Sequence, residues 1–183
     1  MDKGTNLRNR LTDKLSINDI YEICYLAHGH ENDSRKEELY RLACDADDRV
    51  AGNALWAFTH FDVVDNEWLY TKQDDLIDRV LVEKNTTRCR LMLNLLLRQP
   101  FEEENLRTDF LDFCIAKITA YTQPYAIRAL CMKLAYEQCK FYPELLGELK
   151  VALDMLSQEP LSPGLASAKR QVIKKIGRSV KGM

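Results

Sequence analysis

The residues best suited to chemistry lie in one short segment, His28-Gly29-His30-Glu31, with Asp33 just behind it. Imidazole and carboxylate groups in this arrangement could ligate a metal ion. The segment falls on an expected turn between helices, however, and the sequence indicates no partner that would orient the imidazole rings. We therefore interpret it as a solvated loop and predict no metal site.

The second candidate source of chemistry is six cysteines, Cys24, Cys44, Cys89, Cys114, Cys131 and Cys139. No two of them form a Cys-x-x-Cys pair, so the short chelate spacing of a structural zinc site is missing. Most lie among Leu, Ile and Ala at helical spacing, which is typical of small buried apolar residues. Residues 1–10 contain no apolar signal segment, so we expect a cytoplasmic protein with free thiols.

The sequence offers little to a catalytic centre. His60 is the only histidine outside the first segment, which leaves few bases for a serine or cysteine nucleophile. A glycine-rich phosphate-binding loop is missing as well. We predict no catalytic residue and no cofactor, and we favour a non-catalytic protein over an enzyme.

The composition predicts a folded, soluble protein. Of 183 residues, 46% are hydrophobic and 30% are charged, and the formal net charge is −2, which excludes general disorder. At about 100–200 residues per domain, this length corresponds to one domain. The most apolar window, residues 91–97, is far shorter than the ~20 residues of a membrane-spanning helix, so we expect no membrane association.

The apolar residues repeat with a fixed period. A shift of 38 residues aligns residues 49–58 with segments that begin at Thr87, Tyr125 and Pro163. Within each copy the apolar positions follow i, i+3, i+4 and i+7, which is the inner face of an amphipathic helix. The apolar columns are Ala51/Cys89/Ile127/Leu165, Ala54/Met92/Leu130/Ala168, Leu55/Leu93/Cys131 and Phe58/Leu96/Leu134/Val172.

Helix-start residues keep the same period, at Asp48, Thr86, Pro124 and Ser162. Asp, Thr and Ser accept hydrogen bonds from free backbone amides at a helix N-terminus, and Pro fits the first turn. In the third copy we expect Thr122 to be the cap. A second helix follows in each copy, with the apolar columns Ile77/Ile115/Leu153 and Val80/Ile118/Leu156. The leading helix of the first copy matches less well, and the alignment places Ile17 and Ile20 in the columns of Leu55 and Phe58.

These columns predict an all-α fold, a right-handed α-α superhelix (solenoid) that forms a single domain over residues 1–183. An irregular helical bundle is the alternative. The helix pairs and the C-terminal capping helix are expected at about 16–45, 48–83, 86–120, 123–157 and 163–179.

The segment at residues 47–55, DDRVAGNAL, resembles the first-helix signature of HEAT repeats: an acidic turn, Val with an adjacent Arg, then small and large apolar residues. It differs in having Asp48 where proline is usual and Arg49 before Val50. The period is slightly shorter than the ~40–47 residues of HEAT and armadillo units and longer than the ~34 of tetratricopeptide units, whose Trp/Gly/Tyr pattern is absent. The resemblance covers nearly the whole chain as a periodicity and implies a binding scaffold.

Positions opposite the apolar columns define two outward ridges. A basic-aromatic ridge on the first helices contains the candidate partner-binding residues Trp56, His60, Arg90, Arg98, Arg128, Tyr136, Arg170 and Lys174. An acidic ridge on the second helices contains Asp74, Asp78, Asp109, Asp112 and Asp154. Rows of charge usually mark a solvated face, whereas exposed Trp, Tyr and Arg are enriched in binding hot spots.

Two functions fit this pattern. The first is a protein-interaction module that presents a helical-repeat surface to another protein. The second is nucleic-acid binding, because one branch of HEAT-like solenoids resembles the DNA alkylation repair glycosylases. That resemblance implies DNA against a concave face lined by the second helices, where phosphate contact needs clustered Lys and Arg. The acidic ridge lies there instead, so the charges favour a protein partner over nucleic acid.

The segment from Pro160 onward has no acidic residue and a charge of +6, which leaves −8 for the rest of the chain. It could cap the stack, form an arm for an anionic partner, or meet the acidic ridge of a second copy. We favour a cap, because an apolar row would dock on the fourth helix pair while the basic residues face solvent. That apolar row is Leu165, Ala168, Val172 and Ile176, and the basic residues are Lys169, Arg170, Lys174, Lys175, Arg178 and Lys181.

Overall fold

Helices begin close to the positions that the repeat period predicts. The computed structural model describes residues 6–156 and 160–179, and every regular element within them is helical. The all-α prediction is therefore confirmed. The α-helices are α1 (Leu7–Leu11), α2 (Ile17–Leu26), α3 (Asp33–Leu42), α4 (Asp48–Phe58), α5 (Val63–Glu67), α6 (Gln73–Val82), α7 (Thr86–Leu97), α8 (Thr108–Thr119), α9 (Tyr125–Cys139), α10 (Pro143–Met155) and α11 (Pro163–Ser179). Short 3-10 turns lie at His30–Asn32, Trp68–Lys72 and Glu103–Asn105.

Side chains that accept hydrogen bonds from backbone amides fix several helix starts. The Asp47 carboxylate accepts from two amides of the first turn of α4, at 2.8 and 3.2 Å. The Asn85 carboxamide does the same for α7, at 3.0 and 3.1 Å. Both caps lie one residue before the predicted starts, and Ser162 caps α11 as predicted. The cap of α9 is Pro124, so the assignment of Thr122 is wrong.

The predicted apolar columns form the core. The columns that begin at Ala51 and Phe58 are buried at all four of their positions, and the column that begins at Leu55 is buried at all three. In the remaining first-helix column, Leu130 is half-buried while the other members are buried. A shared face of each first helix therefore turns inward, as the spacing i, i+3, i+4 and i+7 requires.

The packing divides the chain into two compact units, the first ending at Gln99 and the second beginning at Pro100. In the first unit, α4 packs against α1, α2, α3 and α7, and α6 also packs against α7. In the second unit, α9 packs against α8, α10 and α11, and α10 packs against both α8 and α11. The single domain and the right-handed superhelix remain predictions.

Two elements were not predicted. Helix α1 precedes the first predicted unit, buries Leu11 and packs against α4. Helix α5 and the following 3-10 turn lie between α4 and α6. Helix α5 begins after Asp62, whose carboxylate accepts a hydrogen bond from the Asp65 amide at 2.8 Å. That turn brings Trp68 into a stacked contact with Phe58, with ring centroids 6.2 Å apart.

Helix α11 docks through the predicted apolar row. Leu165, Ala168, Val172 and Ile176 are all buried, and α11 packs against α9 and α10. The predicted docking is therefore confirmed. Lys181 lies outside the described residues. Across residues 6–156 and 160–179, no helix combines the length and the apolar character that a bilayer crossing requires.

Candidate functional site

Four residues of the basic-aromatic ridge lie together between α4 and α7. Trp56 of α4, His60 just beyond the end of α4, Arg90 of α7 and Arg98 at the C-terminal cap of α7 line two adjoining depressions of about 440 and 380 Å³. Trp56, Arg90 and Leu91 belong to the walls of both, so the two depressions form one groove. We call the two depressions together the α4–α7 groove. One part is lined by Asp48, Arg49, Gly52, Asn53 and Arg88, the other by His60, Asn94 and Arg98, and Trp56, Arg90 and Leu91 lie between them.

Helix periodicity positions these side chains. Arg90 and Asn94 are four residues apart on α7 and share one face of that helix. His60 lies in the turn that follows α4, and its ring contacts that of Trp56. The opposite faces carry the buried apolar columns. Gly52 lies one turn before Trp56 in the groove wall, and a Cβ atom placed on it would meet nothing within 4 Å. The groove is therefore open beside Gly52.

The half-buried Trp56 ring is held by aromatic neighbours. It meets the His60 ring edge-on, with centroids 5.9 Å apart, and His60 meets Tyr21 of α2 in the same way at 5.8 Å. His60 Nδ1 lies 3.0 Å from the Trp56 carbonyl oxygen. His60 Nδ1 also lies 3.1 Å from the Thr59 hydroxyl, so it can donate to the carbonyl when protonated or accept from the hydroxyl when not. This contact fixes the His60 ring next to Trp56.

Helix α2 extends this aromatic surface. Ile17, Tyr21 and Tyr25 recur every four residues and are exposed, Tyr25 by 79% of its surface. Tyr21, Tyr25 and the exposed Leu26 line a further depression of about 360 Å³. We call Tyr25, Tyr21, His60 and Trp56 the aromatic strip. The repeat alignment placed Ile17 in a buried column and did not indicate this face.

The Arg98 side chain makes hydrogen bonds within the first unit. Its guanidinium donates hydrogen bonds to the carbonyl oxygens of Phe58 at 3.2 Å, Thr59 at 2.9 Å and Phe61 at 2.5 Å. These carbonyls lie at the C-terminal end of α4, where helical acceptors lack internal partners. Burial lowers the Arg98 pKa from its ordinary value. Arg98 therefore links the end of α7 to the end of α4, and its guanidinium is already hydrogen-bonded within the protein.

The other groove arginines differ in their partners. Arg88 pairs with Glu83 at 2.9 Å and with Asp48 at 3.1 Å. Arg49 makes a long 3.4 Å contact to a carbonyl oxygen of the loop after α1. In the part of the chain that the structure describes, the half-buried Arg90 guanidinium has no carboxylate or carbonyl partner. Arg90 is therefore the cation in the groove that is most available to a ligand.

Comparison with known families identifies the repeat. The family model of the HEAT repeat domain matches residues 7–176. This chain belongs to the HEAT repeat domain family. The match runs from α1 into α11 and so includes the α4–α7 groove of this HEAT repeat protein. No curated protein and no solved structure matches the chain.

Arg128 of the HEAT repeat chain does not lie on an outward face. It is 1% exposed, and its Nε donates to the Ile118 carbonyl oxygen at 3.0 Å. The guanidinium also lies over the Tyr121 ring, 5.6 Å from its centroid. The end of α8 supplies a carbonyl that needs a donor, so the side chain turns inward. The prediction that Arg128 is exposed for binding is wrong.

The remaining ridge residues lie in the second unit. Tyr136 is half-buried, and its hydroxyl lies 3.0 Å from Ser179 Oγ. The ammonium of Lys175 lies 5.0 Å from the Tyr136 ring centroid. Arg170 and Lys174 are exposed on α11. Tyr136 therefore helps to hold α11, and a binding role for these three residues stays a prediction.

The residues of the acidic ridge are exposed, as their column positions predicted. Asp74 and Asp78 lie on α6 in the first unit. Asp109, Asp112 and Asp154 lie in the second unit, where Asp109 pairs with Arg107 and Asp154 with Lys150, each at 2.7 Å. Binding by this ridge stays a prediction.

The structure gives the histidine segment partners that the sequence did not indicate. His28 Nδ1 lies 2.7 Å from Asp65 Oδ2 and 3.5 Å from Asp62 Oδ2. Ligand atoms of these three residues lie within 4.8 Å of one another, close enough to hold a metal ion. Lys36, however, is 1% exposed, and its ammonium lies 3.0 Å from Asp65 and 3.0 Å from Asp33. A metal ion would have to compete with this buried ammonium for Asp65.

Burial would raise the pKa of the Asp65 carboxyl, but hydrogen bonds from Lys36 and His28 lower it below its ordinary value. The hydrogen bond to Asp65, followed by its charge, raises the pKa of His28. Together these contacts tie the turn after α2 to α5. His28, Lys36, Asp33 and Asp65 therefore form an ion-pair network in this HEAT repeat protein, and the absence of a metal ion from it stays a prediction.

We expect His28 to stabilise the protein more at acidic than at alkaline pH. Because its folded pKa is raised, its contribution is fully present below the unfolded value of about 6.5 and is lost as pH rises through the folded pKa. The stability difference between the native chain and His28→Asn should shrink from about pH 5.5 to about pH 8.5 in urea denaturation. His30→Asn, at an exposed position of the same turn, is the control. An unchanged difference across this range would refute the assigned role of the His28–Asp65 bond.

Proposed function

We propose that this HEAT repeat protein is a non-catalytic protein-interaction module that binds its partner in the α4–α7 groove and along the aromatic strip. The observation that carries the proposal is the position of Trp56, which stands in the groove wall between an available Arg90 and the exposed tyrosines of α2. Tryptophan, tyrosine and arginine dominate binding hot spots, and stacked helical repeats present extended binding surfaces.

Nucleic-acid binding is the second candidate, because four arginines line the groove. Two of them are already engaged: Arg88 pairs with carboxylates and Arg98 with backbone carbonyls. Strong phosphate binding depends on several free cations along the backbone path. The exposed acidic ridge and the net charge of −2 also disfavour a polyanion. A protein partner is therefore the better-supported candidate.

Capture from cell lysate tests the proposal. The native chain, Trp56→Ala and Tyr125→Ala are immobilised in equal amounts, and the captured proteins are quantified by mass spectrometry after nuclease treatment. Tyr125 is an exposed aromatic residue of the second unit and serves as the matched control. We expect partners that Trp56→Ala loses by at least about tenfold while Tyr125→Ala retains them, as hot-spot truncation predicts.

Two results would contradict the proposal. The same protein set on all three chains would show that the groove does not bind partners. Loss of the Trp56-dependent set on nuclease treatment would favour the nucleic-acid candidate. Circular dichroism of each variant ensures that folded chains are compared.

A further inference from the structure

We infer that the ligand of the α4–α7 groove is an extended segment of another protein that carries a carboxylate next to an apolar or aromatic side chain. The carboxylate would pair with Arg90, and the apolar side chain would pack against Trp56 and Leu91. This inference rests on the proposed function and specifies the chemistry of the partner.

The charge of the groove points to an anionic ligand. The charged residues of its walls are Arg49, Arg88, Arg90, Arg98 and Asp48, a formal balance of +3 in a chain whose net charge is −2. The carboxylate of Asp48 is already paired with Arg88 at 3.1 Å. The groove therefore presents unmatched positive charge on a protein that is otherwise acidic.

The groove has too few available cations for a phosphate backbone, which favours a single carboxylate as the ligand. Arg98 is bound to three carbonyl oxygens and Arg88 to Glu83, which leaves Arg90 and the weakly engaged Arg49. Among the residues that the structure describes, no lysine lines either depression. A guanidinium can hold one carboxylate through two parallel hydrogen bonds, whereas a nucleic acid needs a series of phosphate contacts.

The apolar part of the site lies next to Arg90. Leu91 follows Arg90 on α7, and the walls of both depressions include Leu91 and Trp56. A Trp ring that is half-buried already has restricted motion, so little conformational entropy is lost when a ligand packs against it. An apolar ligand side chain could thus be buried within reach of the Arg90 guanidinium.

The dimensions and polar groups of the groove suit an extended segment. Its α4 wall runs from Asp48 to Trp56, which is about 12 Å of helix and about four residues of extended chain, and the wall continues past the helix end to His60. The side-chain amides of Asn53 and Asn94 donate to backbone carbonyls of the protein itself. Their carboxamide oxygens have no partner in the ranges that the structure describes, so they can accept main-chain N–H groups of the ligand.

The inference is tested by selecting random peptides, displayed on phage, against the full chain. We expect the enriched peptides to carry Asp or Glu next to Phe, Trp or Leu. Synthetic copies of the enriched peptides are then titrated against the native chain, Arg90→Glu, Gly52→Leu, Trp56→Ala and Arg41→Glu. Gly52→Leu fills the open part of the groove without removing a contact, and it raises helix propensity. Arg41→Glu makes the same charge change at an exposed position of α3.

Affinity should fall at least about tenfold in Arg90→Glu, which loses the charged hydrogen-bond partner, and in Gly52→Leu, whose side chain occupies the groove. Affinity should be retained in Arg41→Glu, which changes neither. Enriched peptides that contain no acidic residue would overturn the carboxylate inference. So would peptides whose affinity falls in Gly52→Leu but not in Arg90→Glu. Either result would leave the groove as an interaction site. Enriched peptides whose affinity neither Gly52→Leu nor Trp56→Ala lowers bind outside the groove and would overturn the inference, while the lysate capture tests the proposed function separately.

Other ligands give separable results. A mixed-sequence single-stranded oligonucleotide that binds the native chain and is lost in Arg90→Glu would assign the groove to nucleic acid. A concentration-dependent dimer in analytical ultracentrifugation that Arg90→Glu dissociates would assign it to a second copy. Either result overturns the inference of a foreign protein segment. A selection that enriches no peptide would also overturn the inference of a foreign protein segment. The lysate capture would then still test the proposed function.

Discussion

The Phe58→Ala variant is expected to lose about 3–5 kcal/mol of unfolding free energy, the range for truncation of a buried phenylalanine. Phe58 is fully buried in α4. Its ring lies against Phe61 at 4.8 Å, Tyr40 at 6.0 Å and Trp68 at 6.2 Å between centroids. Truncation would leave a cavity that these three rings cannot fill without moving. The loss is a large part of the ~5–15 kcal/mol that stabilises a typical domain.

Urea denaturation followed by circular dichroism measures this change. Val63→Ala, at a residue that is 75% exposed, is the control and should stay within about 0.5 kcal/mol of the native chain. Leu96→Ala and Leu134→Ala, in the same column as Phe58, should each cost about 2–5 kcal/mol. An unchanged midpoint in Leu96→Ala would show that this column has been misassigned to the core.

The sequence predicted the helix starts and the core because both depend on spacing within one helix. Asp47 and Asn85 cap helices through amides two and three residues away. The Phe58 column is buried because its members share one helix face. The basic-aromatic ridge was predictable for the same reason, because Trp56 and Arg90 lie opposite buried columns on consecutive first helices, whereas the groove between those helices was not predicted.

The roles of individual side chains depended on contacts that spacing does not encode. Arg98 and Arg128 occupy outward columns, yet both reach backbone carbonyls at the ends of other helices. His28 finds its acidic partner, Asp65, 37 residues away. In α2, the repeat alignment extrapolated a buried column to Ile17, which is 41% exposed. Long side chains and the first repeat were therefore the least predictable parts of the chain.

Deletion of residues 160–183 is expected to destabilise the protein by about 5 kcal/mol or more, at about 1.5–3 kcal/mol for each large apolar side chain of α11 that loses its buried position. Leu165, Val172 and Ile176 are those side chains, and they lie where α11 packs against α9 and α10. The deletion would expose the apolar surface that α11 covers. The melting temperature should fall by more than about 10 °C, and solubility should fall with it.

A charge-reversed variant separates the capping role of α11 from a binding role. Arg170, Lys174 and Arg178 are exposed, so changing all three to Glu should move the melting temperature far less than the deletion does. A deletion that melts as the native chain does would show that α11 contributes nothing to the core of the second unit. A charge-reversed variant that melts normally but fails to capture the partners of the native chain would show that α11 is also a binding arm. Because the deletion removes both the apolar row and the charges, only the pair of variants assigns the role to one of them.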